Sequence, residues 1–232
     1  MNTDELKRRA AEKAVELVQD GMIVGLGHGS TAHFAHVAIA RRLQERSLKN
    51  ILAVPCSRQV EAEARALGIP LTTLDEHPVV DVTIDGADEV DPRLNLIKGG
   101  GGALLREKVV AQASKQEIII VDEGKLSPAL GTRWALPVEV VPFGVAPVSA
   151  FIRSLGAEPV LRQKADGQPF VTDQGNYILD CRFGPMENPA EIARALCDRA
   201  GIVEHGLFIG LASMVIVGKA DGVEVLTPSN SG

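Results

Sequence analysis

The chain has 232 residues, 45% of them hydrophobic and 23% charged, with a net charge of −6 and only 3% aromatics. That is enough for one large domain or up to two ordinary ones, with Val, Ile, Leu and Ala left to fill the core. Acids and bases are mixed without a polybasic tract, which excludes a nucleic-acid footprint. No apolar run reaches the roughly 18 residues of a membrane span, so no membrane partner is expected either.

Residues 4–19 carry Leu6, Ala10, Ala14, Leu17 and Val18 near helical spacing, with Gly21 as a stop. "MIVGLG" (22–27) reads as a short buried strand. "HGSTA" follows it, then a helix over about 30–46. "ILAVP" (51–55) is the next strand, and "SRQVEAEARAL" (57–67) the next helix, closed by Gly68. "PLTTL" and "VVDVTID" are further strands, "GGALLREKVVAQAS" a helix, and "EIIIVD" a strand with three isoleucines in a row. Short apolar strands alternating with helices predict a parallel sheet covered on both faces.

From about residue 132 the rhythm changes. "PVEVVPF" is a strand, "VAPVSAFIRSL" a helix and "EPVLR" a strand. "PFVTDQGNYILDC" reads as a hairpin turning near Asp173–Gly175. "NPAEIARALCDRA" is a helix capped by Asn188 with Pro189 at its first position, and "IVEHGL" is a strand. That order is the split βαβ pattern of a ferredoxin-like unit. "LFIGL", "MVIVGKA" and "VEVLT" are expected to rejoin the first sheet. The fold class is therefore α/β. A Rossmann-like parallel-sheet domain spans 1–131 and 208–232, and a smaller ferredoxin-like α+β domain spans 132–207.

Three loops carry the chemistry. "VGLGHGSTAH" (24–33) lies between a strand and a helix. It is not a dinucleotide fingerprint, because Ser30 stands where the third glycine belongs, and it is not a Walker loop, because no Gly-Lys-Ser/Thr is present. What remains is either a plain glycine turn or an anion site built from free N–H groups and the hydroxyls of Ser30 and Thr31. "DGADEVD" (85–91) lies at the carboxyl end of its strand, the edge where open parallel sheets bind ligands. Asp85, abutting the apolar run, and Asp88 are better placed there than Glu89 or Asp91.

In "KGGGGALLREK" (98–108) the four glycines let backbone approach a ligand and then open a helix. On that helix Ala103, Glu107 and Ala111 lie on one face, while Leu104, Leu105 and Val109 are expected to face the core. Together the loops suggest a phosphorylated polyol held at the sheet edge beside a carboxylate base and a lysine. Proton abstraction next to a carbonyl needs that set. No cluster of His, Cys and acids has metal-ligand spacing, so no metal is expected. Cys56, Cys181 and Cys197 are widely spaced, which argues against a disulfide framework and fits a reducing compartment. Residues 1–20 lack a signal-peptide pattern, so a soluble cytoplasmic protein is expected.

"GHGSTA", "DGADEVD", "KGGGGALLREK" and "DEGK" (122–125) occur in an order and at a spacing that closely resemble type A ribose-5-phosphate isomerase. The resemblance extends over nearly the whole chain, including "LPVEVVPF" and "GLFIG". It implies an enzyme of the pentose phosphate pathway that interconverts ribose 5-phosphate and ribulose 5-phosphate without metal or organic cofactor, generally as a homodimer or homotetramer.

Carried over by residue, Glu107 resembles the base that moves a proton between C2 and C1, and Lys98 the cation beside the enediolate. Asp85 and Asp88 resemble the acids that bind the sugar and help open its ring. His28, Gly29, Ser30 and Thr31 match a substrate-binding stretch, as do Gly86 and Ala87 between the two acids. Gly99, Gly100 and Gly101 match through their backbone, and Lys125 matches a further substrate-binding position. The family commonly has Thr or Ser where this chain has His28. Cys56 stands where Thr is common and reads as a packed thiol. His33, His36, His77 and His205 match no motif role. Two rival readings are a CoA transferase-like enzyme of the same superfamily, which would form a glutamyl thioester, and a non-catalytic phosphosugar-binding sensor.

Overall fold

The alternation of apolar runs and breakers resolves, in a computed structural model that describes residues 2–228, into helices and strands in the following order. They are α1 (Thr3–Val15), β1 (Ile23–Leu26), α2 (Ser30–Gln44), β2 (Leu52–Pro55), α3 (Arg58–Ala66), β3 (Val82–Gly86), β4 (Glu89–Val90), β5 (Leu96–Ile97), α4 (Leu104–Ala113), β6 (Glu117–Asp122), β7 (Leu136–Val140), α5 (Val145–Ser154), β8 (Glu158–Leu161), β9 (Tyr177–Arg182), α6 (Pro189–Cys197), β10 (Ile202–His205), β11 (Leu207–Phe208), β12 (Met214–Lys219) and β13 (Gly222–Leu226). Short 3-10 turns cover Glu123–Lys125 and Pro142–Gly144. The chain gathers into two compact units. The first holds the described residues up to Ala87, Arg106–Lys125 and those from Gly210 onward; the second holds Asp88–Leu105 and Leu126–Ile209.

The first unit is a six-stranded sheet in the order β13-β12-β6-β3-β1-β2. Its strands are parallel except β13, which returns antiparallel to β12. Every residue of β6 is buried, including Ile118, Ile119 and Ile120, as expected for a central parallel strand covered on both faces. Small residues let α1 and α2 pack closely: Ala10, Ala11 and Ala14 of α1 and Ala35 and Ile39 of α2 join one apolar core with Val24, Val82 and Ile84. Asn2 caps α1 by accepting the Asp4 N–H, and Ser57 caps α3 by accepting the Val60 N–H. The strand order reverses between β1 and β3. Loops after those two strands therefore leave the carboxyl edge side by side, which is the switch point of a doubly wound sheet.

The second unit contains the βαββαβ run β7-α5-β8-β9-α6-β10, an antiparallel sheet in the order β10-β7-β9-β8. That is the ferredoxin-like arrangement. Its core is formed by Val138, Val140, Val148, Ile152, Leu179 and Leu196. A three-stranded sheet, β11-β5-β4, belongs to the same unit.

Several local expectations need correction. "LFIGL" does not rejoin the first sheet: Leu207 and Phe208 pair with Ile97 and Leu96 of β5, burying both residues there. "PLTTL" is not a full strand, making only a bridge from Leu71 to Ala53 beside edge strand β2. Asn188 occupies the N-cap of α6 without a side-chain capping bond; its carbonyl instead accepts from Glu191 N–H. On α4, Val109 is exposed and Val110 faces the core, because the helix begins only after the glycines and its buried face follows Leu104, Glu107, Val110 and Ala111.

Candidate active site

In the first unit, Asp85 is the last buried side chain of β3, only 1% exposed. Its Oδ1 accepts the backbone N–H of His28 (2.9 Å) and of Gly86 (2.7 Å). The two switch-point loops are thus joined by the carboxylate that the sequence singled out. Gly27 makes this possible. Its N–H donates to Ile84 O, and a Cβ at this position would fall on the Asp85 carboxylate and Cα. Gly86 lies in the same place, in reach of the Thr31 side chain and the His28 carbonyl.

Ser30 and Thr31 open α2, with Gly29 ahead of them at φ +110°, so backbone N–H groups and two hydroxyls are presented at a helix N-terminus. The His28 Nδ1 and Ser57 Oγ share a hydrogen bond (3.0 Å), tying the loop to the cap of α3. Sequence reasoning missed Lys7. From α1 its Nζ donates to Ser30 Oγ (3.0 Å) and lies 3.6 Å from Asp4. A lysine on an amphipathic helix carries no motif signal; only the packing of α1 on α2 reveals it.

Glu107 lies in the first turn of α4 and is 4% exposed. A helix that leads from the end of β3 back into the parallel strand β6 has to start near the carboxyl edge of the sheet. Glu107 is therefore placed toward that edge. Lys125 ends the 3-10 turn after β6, half-buried, where Asp122 Oδ1 accepts Gly124 N–H. Ala87 ends the first of the three chain segments that make up this unit.

In the second unit, Asp88 Oδ2 accepts the Gly100 N–H (2.7 Å), so the acid braces the glycine segment rather than standing in solvent. Lys98 is 2% exposed, a long cation held almost wholly out of water. Its Nζ lies 5.4 Å from the centre of the buried Phe208 ring, and its N–H donates to Gly206 O. Such a ring face attracts a desolvated ammonium by about 2 kcal/mol. Gly99 and Gly102 both have positive φ, which bends the segment before α4.

The remaining acids of "DGADEVD" are structural. Glu89 is fully buried and accepts the N–H groups of Gly131, Arg133 and Trp134. Asp91 accepts from the N–H groups of Arg93 and Asn95 and from the Asn95 amide, closing a turn. The histidines also have local roles. The Nδ1 atoms of His36 and His33 lie 3.0 and 2.7 Å from Glu63 Oε1. Bonding to His36 and then to His33, against an opposing burial effect, holds the Glu63 carboxyl down at about 2. His205 is buried, with its Nδ1 accepting Leu207 N–H. Cys56 is a buried, packed side chain. Among the described residues no three His, Cys, Asp or Glu side chains gather to hold a metal ion.

The same chain matches the model of the family ribose 5-phosphate isomerase A (phosphoriboisomerase A) over residues 52–222. It is 61% identical to ribose-5-phosphate isomerase A of Desulfatibacillum aliphaticivorans over 220 residues, 95% of this chain and 96% of that one. It is 58% identical to the ribose-5-phosphate isomerase A of Chloroflexus aurantiacus, covering 100% of this chain and 97% of that one. Among solved structures, a D-ribose-5-phosphate isomerase in complex with phospho-erythronic acid superposes with a TM-score of 0.96 at 36% identity, over 98% of this chain and 100% of that one. With likeness running the length of the chain, the protein belongs to the ribose 5-phosphate isomerase A family.

Proposed function

We propose that the protein interconverts D-ribose 5-phosphate and D-ribulose 5-phosphate, an aldose–ketose isomerisation through an enediolate in the non-oxidative pentose phosphate pathway. Its membership in the family over nearly the whole chain carries this reading.

In the forward direction the Glu107 carboxylate removes the proton from C2 of the open-chain sugar. The electron pair left behind forms the C1–C2 double bond, and negative charge moves onto the aldehyde oxygen. The Lys98 ammonium stabilises that charge, worth more in a dry site than in water. Glu107 returns the proton to C1, and the proton of the C2 hydroxyl passes to O1, which leaves a ketone at C2 and a hydroxyl at C1. Atoms and electrons balance without an external oxidant. Asp85 and Asp88 bind sugar hydroxyls and assist ring opening. His28, Gly86 and Ala87 line the sugar, together with the backbone of Gly99, Gly100 and Gly101. The N-terminal N–H groups of α2, with Gly29, Ser30, Thr31 and Lys7, suit a phosphate dianion. Lys125 adds a further cation for the anionic substrate.

The finer reading is a cytoplasmic homodimer or homotetramer. The three cysteines, none in a disulfide, fit a reducing compartment. The test is to incubate the purified protein with ribose 5-phosphate after exhaustive chelation and to follow ketose formation. Sustained turnover, inhibited competitively by phospho-erythronic acid, supports the reading. No ketose, or activity that returns only on adding a metal ion, overturns it.

A further inference from the structure

The 98–102 segment is held by side chains that no motif marks. Arg162 follows β8, and its backbone is fixed on both sides: its N–H donates to Ile178 O (2.8 Å) and its carbonyl accepts Phe170 N–H (2.9 Å). The side chain is 14% exposed. Its Nε and Nη2 donate to the two oxygens of Asp180 (2.9 and 2.6 Å). Its Nη1 donates to the carbonyls of Gly99 (3.0 Å) and Gly100 (3.1 Å). The Phe170 ring centre lies 5.8 Å from the guanidinium carbon, and a Cβ on Gly102 would fall on that same ring.

Peptide geometry turns these contacts into an orientation. The C=O and N–H of one trans peptide point in opposite directions. The Gly99–Gly100 peptide gives its carbonyl to Arg162 and its N–H to Asp88, so it is gripped at both edges. The Gly100–Gly101 peptide gives its carbonyl to Arg162, which directs the Gly101 N–H away from the guanidinium. Glycine peptides have the widest choice of conformation in an unbraced chain. Here a planar fork with a fixed spread of donors selects one, and Asp180 holds the fork in register. A lysine has no such geometry.

We infer that Arg162, aimed by Asp180 and Phe170, is a positioning residue for the isomerisation: by fixing the Gly99–Gly100 and Gly100–Gly101 peptides it sets the direction in which the Gly101 N–H is presented to the sugar phosphate. This rests on the proposed role of that segment in substrate binding. Arg162 itself is assigned no contact with the substrate.

The experiment compares wild type, Arg162→Lys and Asp180→Asn by steady-state kinetics, thermal melting and hydrogen exchange of the peptide covering 98–102. In wild type, ribose 5-phosphate slows exchange in that peptide. In Arg162→Lys, exchange without ligand speeds up, KM rises about tenfold or more, and kcat/KM falls by up to about 10², as for a displaced positioning group. Asp180→Asn keeps the guanidinium but loosens its aim, and moves KM and exchange in the same direction by less. It also serves if the lysine variant does not fold. A melting temperature that drops while KM, kcat and exchange per folded molecule stay at wild-type values overturns the inference and leaves the substrate-binding reading standing. If ribose 5-phosphate leaves exchange in wild-type 98–102 unchanged, the substrate-binding reading of the segment fails and the inference fails with it.

Discussion

The carboxylate of Asp85 and the backbone N–H of His28 lie 2.9 Å apart, and they join the loops that follow two adjacent parallel strands. An acid at the end of a core strand is thereby fixed in position by the backbone it serves. The contact needs a neighbour without a side chain, and Gly27 provides it. Gly27→Ala would press a methyl group onto the Asp85 carboxylate and Cα, and the Cα cannot swing aside as a flexible side chain would. The variant is expected to lose about 1–3 kcal/mol of stability in urea denaturation, the usual cost of overpacking. Its kcat/KM is expected to fall by about 10², since Asp85 and the 28–31 loop shift together. Wild-type kinetics in Gly27→Ala would show that the spacing of these loops is not critical.

Glu107 is buried in the first turn of its helix, and its proposed role has a distinct signature. Glu107→Gln preserves size but cannot accept a proton from carbon. Turnover should fall by at least about 10²–10⁴, the usual contribution of a general base. Affinity for ribose 5-phosphate should stay within a small factor. Exchange of the C2 hydrogen with solvent deuterium should cease along with isomerisation. If the variant still exchanges that hydrogen at the wild-type rate, the base is another group, with Asp85 next in line.

Lys98 keeps an almost fully desolvated ammonium near the Phe208 ring. Lys98→Ala should lower kcat by about 10²–10³, as loss of a donor to a developing oxyanion does, with a smaller change in substrate affinity. Weaker binding with unchanged kcat would assign the cation to the phosphate instead.

The Glu63 carboxyl, held near 2 against an ordinary 4.5 by His36 and His33, stabilises the folded state wherever it is ionised in both folded and unfolded chains. That contribution is fully present above about 4.5 and is lost as pH falls toward about 2. Glu63→Gln should therefore melt below wild type at neutral pH, and the difference should narrow through that acid window. Melting curves that keep a constant gap from pH 6 to pH 2 would contradict the linkage.

The alternation of apolar strands and helices, the switch to a βαββαβ run after residue 132, and the three loops were legible in the sequence. Each rests on local periodicity or on glycines and acids adjoining an apolar run. The burial of Asp85 at the end of its strand was also readable, because it directly abuts an apolar run. Three features were decided only by tertiary structure: the burial of Val110 rather than Val109, the pairing of Leu207–Phe208 with β5, and the hydrogen bonds of Lys7 and Arg162. The physical reason is range. A helix start shifted by a few residues rotates its buried face, and a two-residue strand has too few side chains to state its partner. The partners of Arg162 lie 18 positions away at Asp180 and 62–63 away at the glycines, a separation that no local pattern encodes.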